Sequence, residues 1–205
     1  MKQTASIQFF DTQFQHQLRA GDLALNPFEL AALPYLRGRV LDFGCGLGNL
    51  AIAAAHRGCS VVALDASPAA ICHVRKVAAN AALSIDAEVA DLRNYQLQED
   101  FDTVVSIGLF MFFDCPTALR QLIHLQEHVR PGGLAVVNVL IEGTTYLDMF
   151  GPEGHCLFAA DELRQRFDGW NVIRLEHQDF AAPAGSVKSF VTLVAQKPAP
   201  EIADV

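Results

Sequence analysis

Short apolar runs alternate with helical segments along most of the chain, and this alternation predicts an α/β fold. Residues 47–57, 68–82 and 117–129 have the composition or the periodicity of helices. Almost wholly apolar strands separated by helices indicate a parallel sheet covered by helices on both faces, with its ligand crevice at the carboxyl ends of the strands. The predicted strands of this part are 40–43, 60–64, 85–89, 101–107 and 134–141.

The pattern changes after residue 141. A loop-rich stretch at 142–157 is followed by a short predicted helix at 159–167. Two further apolar runs, 171–180 and 187–196, are separated only by a turn containing Pro183 and Gly185, which predicts an antiparallel hairpin.

The amino-terminal segment differs from the rest of the chain. Phe9, Phe10, Phe14 and Leu18 recur near helical spacing. We therefore expect three parts: a helical prelude or lid at 1–36, the main domain at 37–197 and a tail at 198–205.

Composition and charge limit the possible functions. A chain of 205 residues that is 51% hydrophobic can bury a core without a structural metal. Its 15 basic and 23 acidic residues give a net charge of -8, which argues against a nucleic-acid or anionic-membrane partner. No apolar run reaches the length of a membrane helix, and no secretion signal is recognised.

The cysteines predict a reducing environment. Their number is odd and no Cys-x-x-Cys or Cys/His ligand spacing occurs. We expect reduced thiols, no metal site and a cytoplasmic location. The cysteines are Cys45, Cys59, Cys72, Cys115 and Cys156.

A glycine turn joins the first predicted strand to the first helix of the main domain. Gly44, Gly46 and Gly48 would let a ligand approach main-chain N–H groups at the start of the helix. The alternative is a turn that only allows strand and helix to pack closely.

Polar residues near the ends of neighbouring strands favour the ligand site. Asp65 follows Gly46 by 19 residues, where a carboxylate can accept hydrogen bonds from both ribose hydroxyls of a nucleoside. Asp91 and Ser106 stand at the ends of the next two strands and would face the same crevice. Asp42, inside the first strand, would be costly to bury without a partner in the glycine turn or a ligand cation.

The glycine spacing distinguishes between cofactors. Dinucleotide sites use G-x-G-x-x-G, but here the third glycine falls one position early and Asn49 stands in its place, which disfavours NAD. Carboxylates at Asp42, Asp65 and Asp91 would repel a pyrophosphate. They suit a sulfonium, an ammonium and ribose hydroxyls, the groups of S-adenosylmethionine.

The glycine turn, Asp65, Asp91-Leu92 and the Arg130–Gly133 series together resemble the signature of class I S-adenosylmethionine-dependent methyltransferases. The resemblance implies a Rossmann-like seven-stranded sheet of order 3-2-1-4-5-7-6 with the last strand antiparallel. It also implies S-adenosylmethionine as cofactor, S-adenosylhomocysteine as product and a cofactor-binding set: Asp42, Gly44, Cys45, Gly46, Gly48, Asn49, Asp65, Ala66, Asp91, Leu92, Ser106 and Ile107.

A second similarity is to the tellurite-resistance (TehB-like) group of methyltransferases. It rests on Leu109–Phe112, Phe158, Glu162–Arg164 and Gly169-Trp170. Members of that group are linked to methylation of tellurium or selenium oxyanions, so the similarity implies a small-molecule acceptor of this kind, or a thiol. His177 stands where such proteins carry a histidine, whereas Gln178 and Gly185 replace the basic residues expected near it.

The catalytic residues are not identified by any motif. His177 and His155 are candidate general bases, and Arg164 is a candidate anion-binding residue. Each is also compatible with an ordinary structural or exposed position. Two other functions stay open: a non-catalytic module that binds S-adenosylmethionine or S-adenosylhomocysteine, and, less favoured, an NAD-dependent oxidoreductase. The sequence does not indicate an oligomeric state.

Overall fold

The computed structural model describes residues 5–21, 23–151 and 154–199. Seven strands form one sheet of order β3-β2-β1-β4-β5-β7-β6, as predicted. All neighbouring strands are parallel except that β7 runs antiparallel to both β5 and β6. The strands are β1 Arg39–Phe43, β2 Ser60–Asp65, β3 Ile85–Val89, β4 Phe101–Ile107, β5 Val129–Leu140, β6 Asn171–Ala181 and β7 Val187–Gln196.

Helices cover both faces of this sheet. The longer ones are α1 Ala5–Ala20, α2 Pro27–Ala32, α3 Asn49–His56, α4 Pro68–Asn80, α5 Cys115–Glu127 and α6 Glu162–Arg166. Successive residues of a strand point to opposite faces, so Val40 packs under α3 and α4 while Leu41 joins the core under α5 and α6. The expected α/β architecture with helices on both faces is confirmed.

Local capping sets where two of the helices begin. The Ser67 hydroxyl accepts a hydrogen bond from Ala70 N–H at 3.1 Å, and Pro68 occupies the first turn of α4. Asp114 caps α5 by accepting from Thr117 N–H at 2.8 Å. Helix α5 therefore begins at Cys115, two residues before the predicted start.

Strand β5 begins earlier than predicted. The segment 130–133, expected to be a turn, belongs to the strand, because Val129 pairs with Phe101 and a register shift follows. Gly132 N–H donates to Lys197 O at 3.0 Å, and Gly133 O accepts from Lys197 N–H at 2.9 Å, so the segment is hydrogen-bonded on its other side as well.

The prediction of five reduced thiols is wrong for one pair. Cys115 and Cys156 form a disulfide across 41 residues of chain. The pairing arises because the loop after β5 returns to the segment just before α5, where Cys156 N–H donates to Met111 O at 3.2 Å. Cys45, Cys59 and Cys72 are free. Because one pair of cysteines is oxidised, the cysteines do not support the cytoplasmic location, which stays a prediction.

Within the described ranges, no helix has both the length and the apolar content needed to cross a membrane.

Candidate functional site

A cavity of about 330 Å³ opens at the carboxyl ends of the parallel strands. The ends of β1, β2 and β4 form its floor, and helices α1 and α2 contribute its other walls. This is the position expected for a ligand site in an open α/β sheet.

The glycine turn is held by β2 and packs tightly against its surroundings. Gly44 and Cys45 donate their N–H groups to Leu64 O at 2.9 and 3.0 Å. Gly48 precedes α3 with a φ of 72°, and a Cβ atom there would lie 2.5 Å from Val74 Cγ2. A side chain at residue 48 would therefore clash with α4 as well as strain the backbone.

Asp65 ties the end of β2 to the glycine turn. Its Oδ2 accepts from Gly46 N–H at 2.9 Å, and its Oδ1 accepts from Ser67 N–H at 2.8 Å. Burial raises the pKa of Asp65, although these two N–H bonds act to lower it. Each carboxylate oxygen has a second lone pair that can accept a hydroxyl group of a ligand.

Asp42 is a buried carboxyl without a complete set of partners. It is 5% exposed, and its Oδ2 has no hydrogen-bond partner within the described part of the chain. Burial, with the nearby negative charges of Glu29 and Asp65, raises the pKa of Asp42 to about 8. Burial also raises the pKa of the neighbouring Cys45 thiol, which stays protonated at neutral pH.

Asp91 already has a cationic partner. Arg93 binds its two carboxylate oxygens through Nε and Nη2, at 2.8 and 2.7 Å. This pairing lowers the pKa of Asp91. The ion pair offers a ligand a polar edge with little net charge.

Helix α1 lies over the cavity with an aromatic face. Phe10 meets Phe112 edge to face at 4.8 Å between ring centroids, and Phe14 stacks with Phe10 at 5.7 Å. A Cβ on Gly46 would lie 3.2 Å from Phe14 Cζ, so the glycine permits this close approach. The Ser67 hydroxyl hydrogen-bonds the Asp11 carboxylate and links α1 to the start of α4.

Helix α2 brings a further carboxylate to the cavity. Asn26 caps the helix by accepting from Phe28 and Glu29 N–H groups at 2.9 and 3.0 Å. In return, Glu29 Oε2 accepts from Asn26 N–H at 2.7 Å. Burial raises the pKa of Glu29.

Ten of the twelve predicted cofactor residues line the cavity. The two exceptions are Gly48, which serves helix packing, and Ser106, which is fully buried. Ser106 points to the opposite face of β4 from Ile107, because side chains alternate along a strand. The ten are Asp42, Gly44, Cys45, Gly46, Asn49, Asp65, Ala66, Asp91, Leu92 and Ile107.

The three candidate catalytic residues are not among the residues that line the cavity, and their roles stay predictions. His177 is exposed on β6, the edge strand that β5 and β7 separate from β4. The exposed ring of His155 stacks on Phe150 with centroids 4.5 Å apart, and Arg164 is exposed on α6. Their positions depend on strand order and loop course, which spacing along the sequence does not give.

Several lining residues were not predicted. They lie on or beside the amino-terminal helices or after a strand end: Phe10, Gln13, Phe14, Gln17, Asn26, Glu29, Ser67, Arg93 and Leu109. The Asn26-Pro27-x-Glu29 series is a readable helix-start signal. It does not indicate that the helix crosses the cavity.

Two histidines that the sequence analysis did not single out lie at the end of α5, His124 within the helix and His128 directly after it. The potential ligand atoms of His124, Glu127 and His128 lie within 4.8 Å of one another. His124 Nε2 accepts from Leu97 N–H at 2.9 Å, so the neutral ring carries its proton on Nδ1. A metal ion could therefore bind Nε2 of the neutral His124 ring only by displacing the hydrogen bond from Leu97.

Comparisons with known proteins agree with this geometry. Residues 40–133 match the family model of a methyltransferase domain. The chain is 31% identical over 166 residues to "Hemagglutinin 1" of Eikenella corrodens, an alignment that covers 78% of this chain and 55% of that protein. It is 26% identical over 136 residues to "Probable S-adenosyl-L-methionine-dependent methyltransferase TehB" of Haemophilus influenzae (strain 10810), covering 66% and 46%.

The fold matches a solved structure as well. The crystal structure of TehB from Haemophilus influenzae superposes with a TM-score of 0.73 at 21% identity, covering 85% of this chain and 63% of that one. The chain spans about half the length of the curated relatives named above, at 55% and 46%.

Proposed function

We propose that this chain, which carries a class I S-adenosylmethionine-dependent methyltransferase domain close to TehB, transfers a methyl group from S-adenosylmethionine to a small molecule. The main supporting observation is the cavity at the strand ends. Its lining includes the glycine turn, the strand-end Asp65 carboxylate and the Asp42 carboxyl, whose Oδ2 has no hydrogen-bond partner among the described residues.

The residues of the cavity fit this cofactor. Asp65 has lone pairs for ribose hydroxyls, and the Asp91–Arg93 ion pair gives a polar edge for a base. Buried Asp42 calls for a cation or a hydrogen-bond donor, which the cofactor carries. Gly44, Cys45 and Gly46 line the cavity, and the two glycines have no side chain of their own between their main-chain atoms and a ligand.

The chain's own groups would act by alignment and by exclusion of water. When bound, S-adenosylmethionine supplies a methyl carbon activated by its sulfonium. Phe10, Phe14 and Phe112 form an apolar wall that restricts solvent access. An in-line displacement gains chiefly from holding the two reacting atoms in contact along one line.

We propose that the acceptor is a thiol or a tellurium or selenium oxyanion, and the charge of the cavity ranks the thiol first. Four carboxyl groups line it: Glu29, Asp42, Asp65 and Asp91. Among the described lining residues, Arg93 is the one basic side chain, and it is bonded to Asp91. An oxyanion would meet net negative charge, whereas a thiol enters uncharged at neutral pH. The thiol would release its proton to solvent as its sulfur takes the methyl group and the sulfonium–methyl bond breaks. The similarity to TehB supports the oxyanion.

The test is a turnover assay with small thiols, selenite and tellurite as separate acceptors. Mass spectrometry would follow S-adenosylhomocysteine and the methylated product. We expect product with at least one acceptor and its loss in the Asp65→Ala variant. A protein that binds S-adenosylmethionine but forms no S-adenosylhomocysteine with any acceptor would instead be a non-catalytic binding module.

A further inference from the structure

Helix α1 presents one uncharged stripe to the cavity. Its lining residues are Phe10, Gln13, Phe14 and Gln17. Residues spaced by three, four and seven positions share one face of an α-helix, so these four side chains form a continuous stripe. Among the described residues of α1, the ionisable side chains of Asp11, His16 and Arg19 do not line the cavity. A ligand that touches the stripe therefore meets aromatic rings and neutral amides.

The stripe continues into an apolar wall behind the end of β4. Phe10 meets Phe112 edge to face at 4.8 Å between ring centroids, and Phe112 is tilted against Phe150 at 5.5 Å. Phe113, which also lines the cavity, packs edge to face on the fully buried ring of Phe110 at 6.2 Å. Each of these cavity rings rests on another ring, which restricts its movement. The wall is thus a preformed apolar surface.

The ionic groups at the ends of β2 and β3 lie on the other side of β1. Asp65 ends β2, and the Asp91–Arg93 ion pair follows β3. Leu109 and Phe112 follow β4. In the sheet, β2 and β3 are on one side of β1 and β4 is on the other. Because the proposed function assigns Asp65 and Asp91 to the nucleoside, the side of β4 is left for the acceptor.

Gln13 lies on the flank of α1 that is turned away from the nucleoside side. The Asp11 carboxylate is hydrogen-bonded to the Ser67 hydroxyl at the start of α4, which fixes the opposite flank towards the end of β2. At about 100° per residue, Gln13 is about 200° further round the helix than Asp11. Gln13 is exposed and also lines the cavity, so it stands at the opening.

We propose that the acceptor is a thiol with an uncharged, apolar body, which packs between the α1 stripe and Phe112. This inference rests on the proposed function and narrows its acceptor to one class. The thiol sulfur bonds the methyl carbon as the bond from that carbon to the sulfonium breaks; S-adenosylhomocysteine leaves and the thiol proton passes to water. A charged body would lose its hydration against the rings without an ionic partner among the described residues of the wall.

The experiment compares two thiols that differ only in charge. 2-Phenylethanethiol has an apolar body, and its para-carboxylate derivative adds one negative charge to the same body. Mass spectrometry of S-adenosylhomocysteine and of the methyl thioether gives kcat/KM for each thiol. Gln13→Lys places a cation at the opening of the cavity. Gln15→Lys is the matched control, since Gln15 is an exposed glutamine of the same helix that does not line the cavity.

We expect the wild-type protein to use 2-phenylethanethiol at least about 10-fold more efficiently than the carboxylate. Gln13→Lys should reduce this preference about 5-fold, through a higher kcat/KM for the carboxylate, because the ammonium group attracts it. Gln15→Lys should keep the wild-type preference. All three proteins should bind S-adenosylhomocysteine alike in calorimetry, which would show that the change concerns the acceptor.

The outcomes separate this inference from the function on which it rests. Equal use of the two thiols by the wild-type protein, or a preference for the carboxylate, would overturn the apolar acceptor. An unchanged preference in Gln13→Lys would overturn the placement of the acceptor along α1. Methylation of tellurite or selenite but of neither thiol would refute the inference and leave the proposed methyl transfer in place. If no S-adenosylhomocysteine forms with any of these acceptors, the proposed function itself fails.

Discussion

At the scale of single residues, Asp65 has a structural role in the glycine turn and a proposed role in ligand binding, and experiment can separate the two. It fixes the glycine turn through Gly46 N–H and holds Ser67 N–H at the start of α4. Its remaining lone pairs are assigned to ribose hydroxyls. Charge-assisted hydrogen bonds contribute about 1.5–3 kcal/mol each, so loss of the bonds to the ribose should weaken ligand binding strongly.

We predict that Asp65→Ala weakens binding of S-adenosylhomocysteine by about 100-fold or more in calorimetry while the domain stays folded by circular dichroism. Ser106→Ala is the control, since Ser106 is buried away from the cavity and should leave affinity unchanged. A folded Asp65→Ala protein with wild-type affinity would refute the ribose assignment.

Asp42 should make stability depend on pH. Its pKa is about 8 in the folded protein, above its value of 3.8 in the absence of burial. The folded state therefore binds more protons between these values, and the stabilisation present below about pH 4 is lost as pH rises towards 8.

We predict that Asp42→Asn and wild type have similar free energies of unfolding near pH 4. The variant should become the more stable protein as pH approaches 8, by up to about 5 kcal/mol at about 1.4 kcal/mol per pKa unit. Denaturant unfolding across this range measures the difference. A constant difference at all pH values would show that Asp42 does not titrate there.

Residues at strand ends were predictable from the sequence, and residues brought in by helices were not. Asp42 and Asp65 belong to parallel strands whose carboxyl ends must meet at one edge. Glu29 and Phe14 reach the same edge only because α1 and α2 lie across it, which no local signal specifies. The exposure of His177 likewise follows from the place of β6 at the sheet edge, which spacing along the sequence does not give.

At the scale of elements, helix α1 is proposed as a lid on the cofactor. Its aromatic residues line the cavity, and Asp11 links it to Ser67 at the start of α4. Phe14 lies directly against the glycine turn, as the 3.2 Å approach to Gly46 indicates.

We predict that Phe14→Ala lowers the affinity for S-adenosylhomocysteine about 10-fold, since a buried aromatic contact contributes about 1.5–3 kcal/mol. Gln15→Ala, on the exposed face of α1, is the matched control and should bind like wild type. Equal affinities for Phe14→Ala and wild type would contradict the lid.

The disulfide connects two elements beside the cavity. Cys115 begins α5, shortly after the lining residues Phe112 and Phe113, and Cys156 lies in the loop after β5. A cross-link across 41 residues restricts the unfolded chain and can stabilise a protein by about 2–4 kcal/mol.

We predict that Cys115→Ser lowers the free energy of unfolding by about 2–4 kcal/mol and that reduction of the wild-type protein has the same effect. Cys72→Ser should change little, because Cys72 is free and exposed. Five alkylatable thiols in the unfolded, unreduced protein would contradict the pairing.

Most elements follow from periodicity and capping, and the differences have identifiable causes. Strand β4 and strand β7 were predicted at their observed bounds, because both are rich in apolar and β-branched residues and are bounded by turn residues. The start of β5 was misplaced because Gly132 and Gly133 favour a turn locally, whereas hydrogen bonds to Lys197 keep them in the sheet. The disulfide was missed because its partners are neighbours only in the folded chain.

At the scale of the whole molecule, the order of the strands in the sheet determines where the cavity lies. Alternating strands and helices predict the parallel sheet, while the position of β7 between β5 and β6 was supplied by family resemblance. The reversal of strand order at β1 and β4 places the crevice beside the glycine turn. The remaining walls of the cavity come from α1, α2 and the segment after β4, whose arrangement in space no sequence motif specifies.

The most direct test of the account is a parallel calorimetric titration of the purified protein with S-adenosylmethionine, S-adenosylhomocysteine and NAD. We predict micromolar binding of the first two, equivalent to about −8 kcal/mol, and no heat of binding with NAD. Absence of binding by both S-adenosyl compounds, or binding of NAD in their place, would contradict the assignment of the cavity as a methyl-donor site.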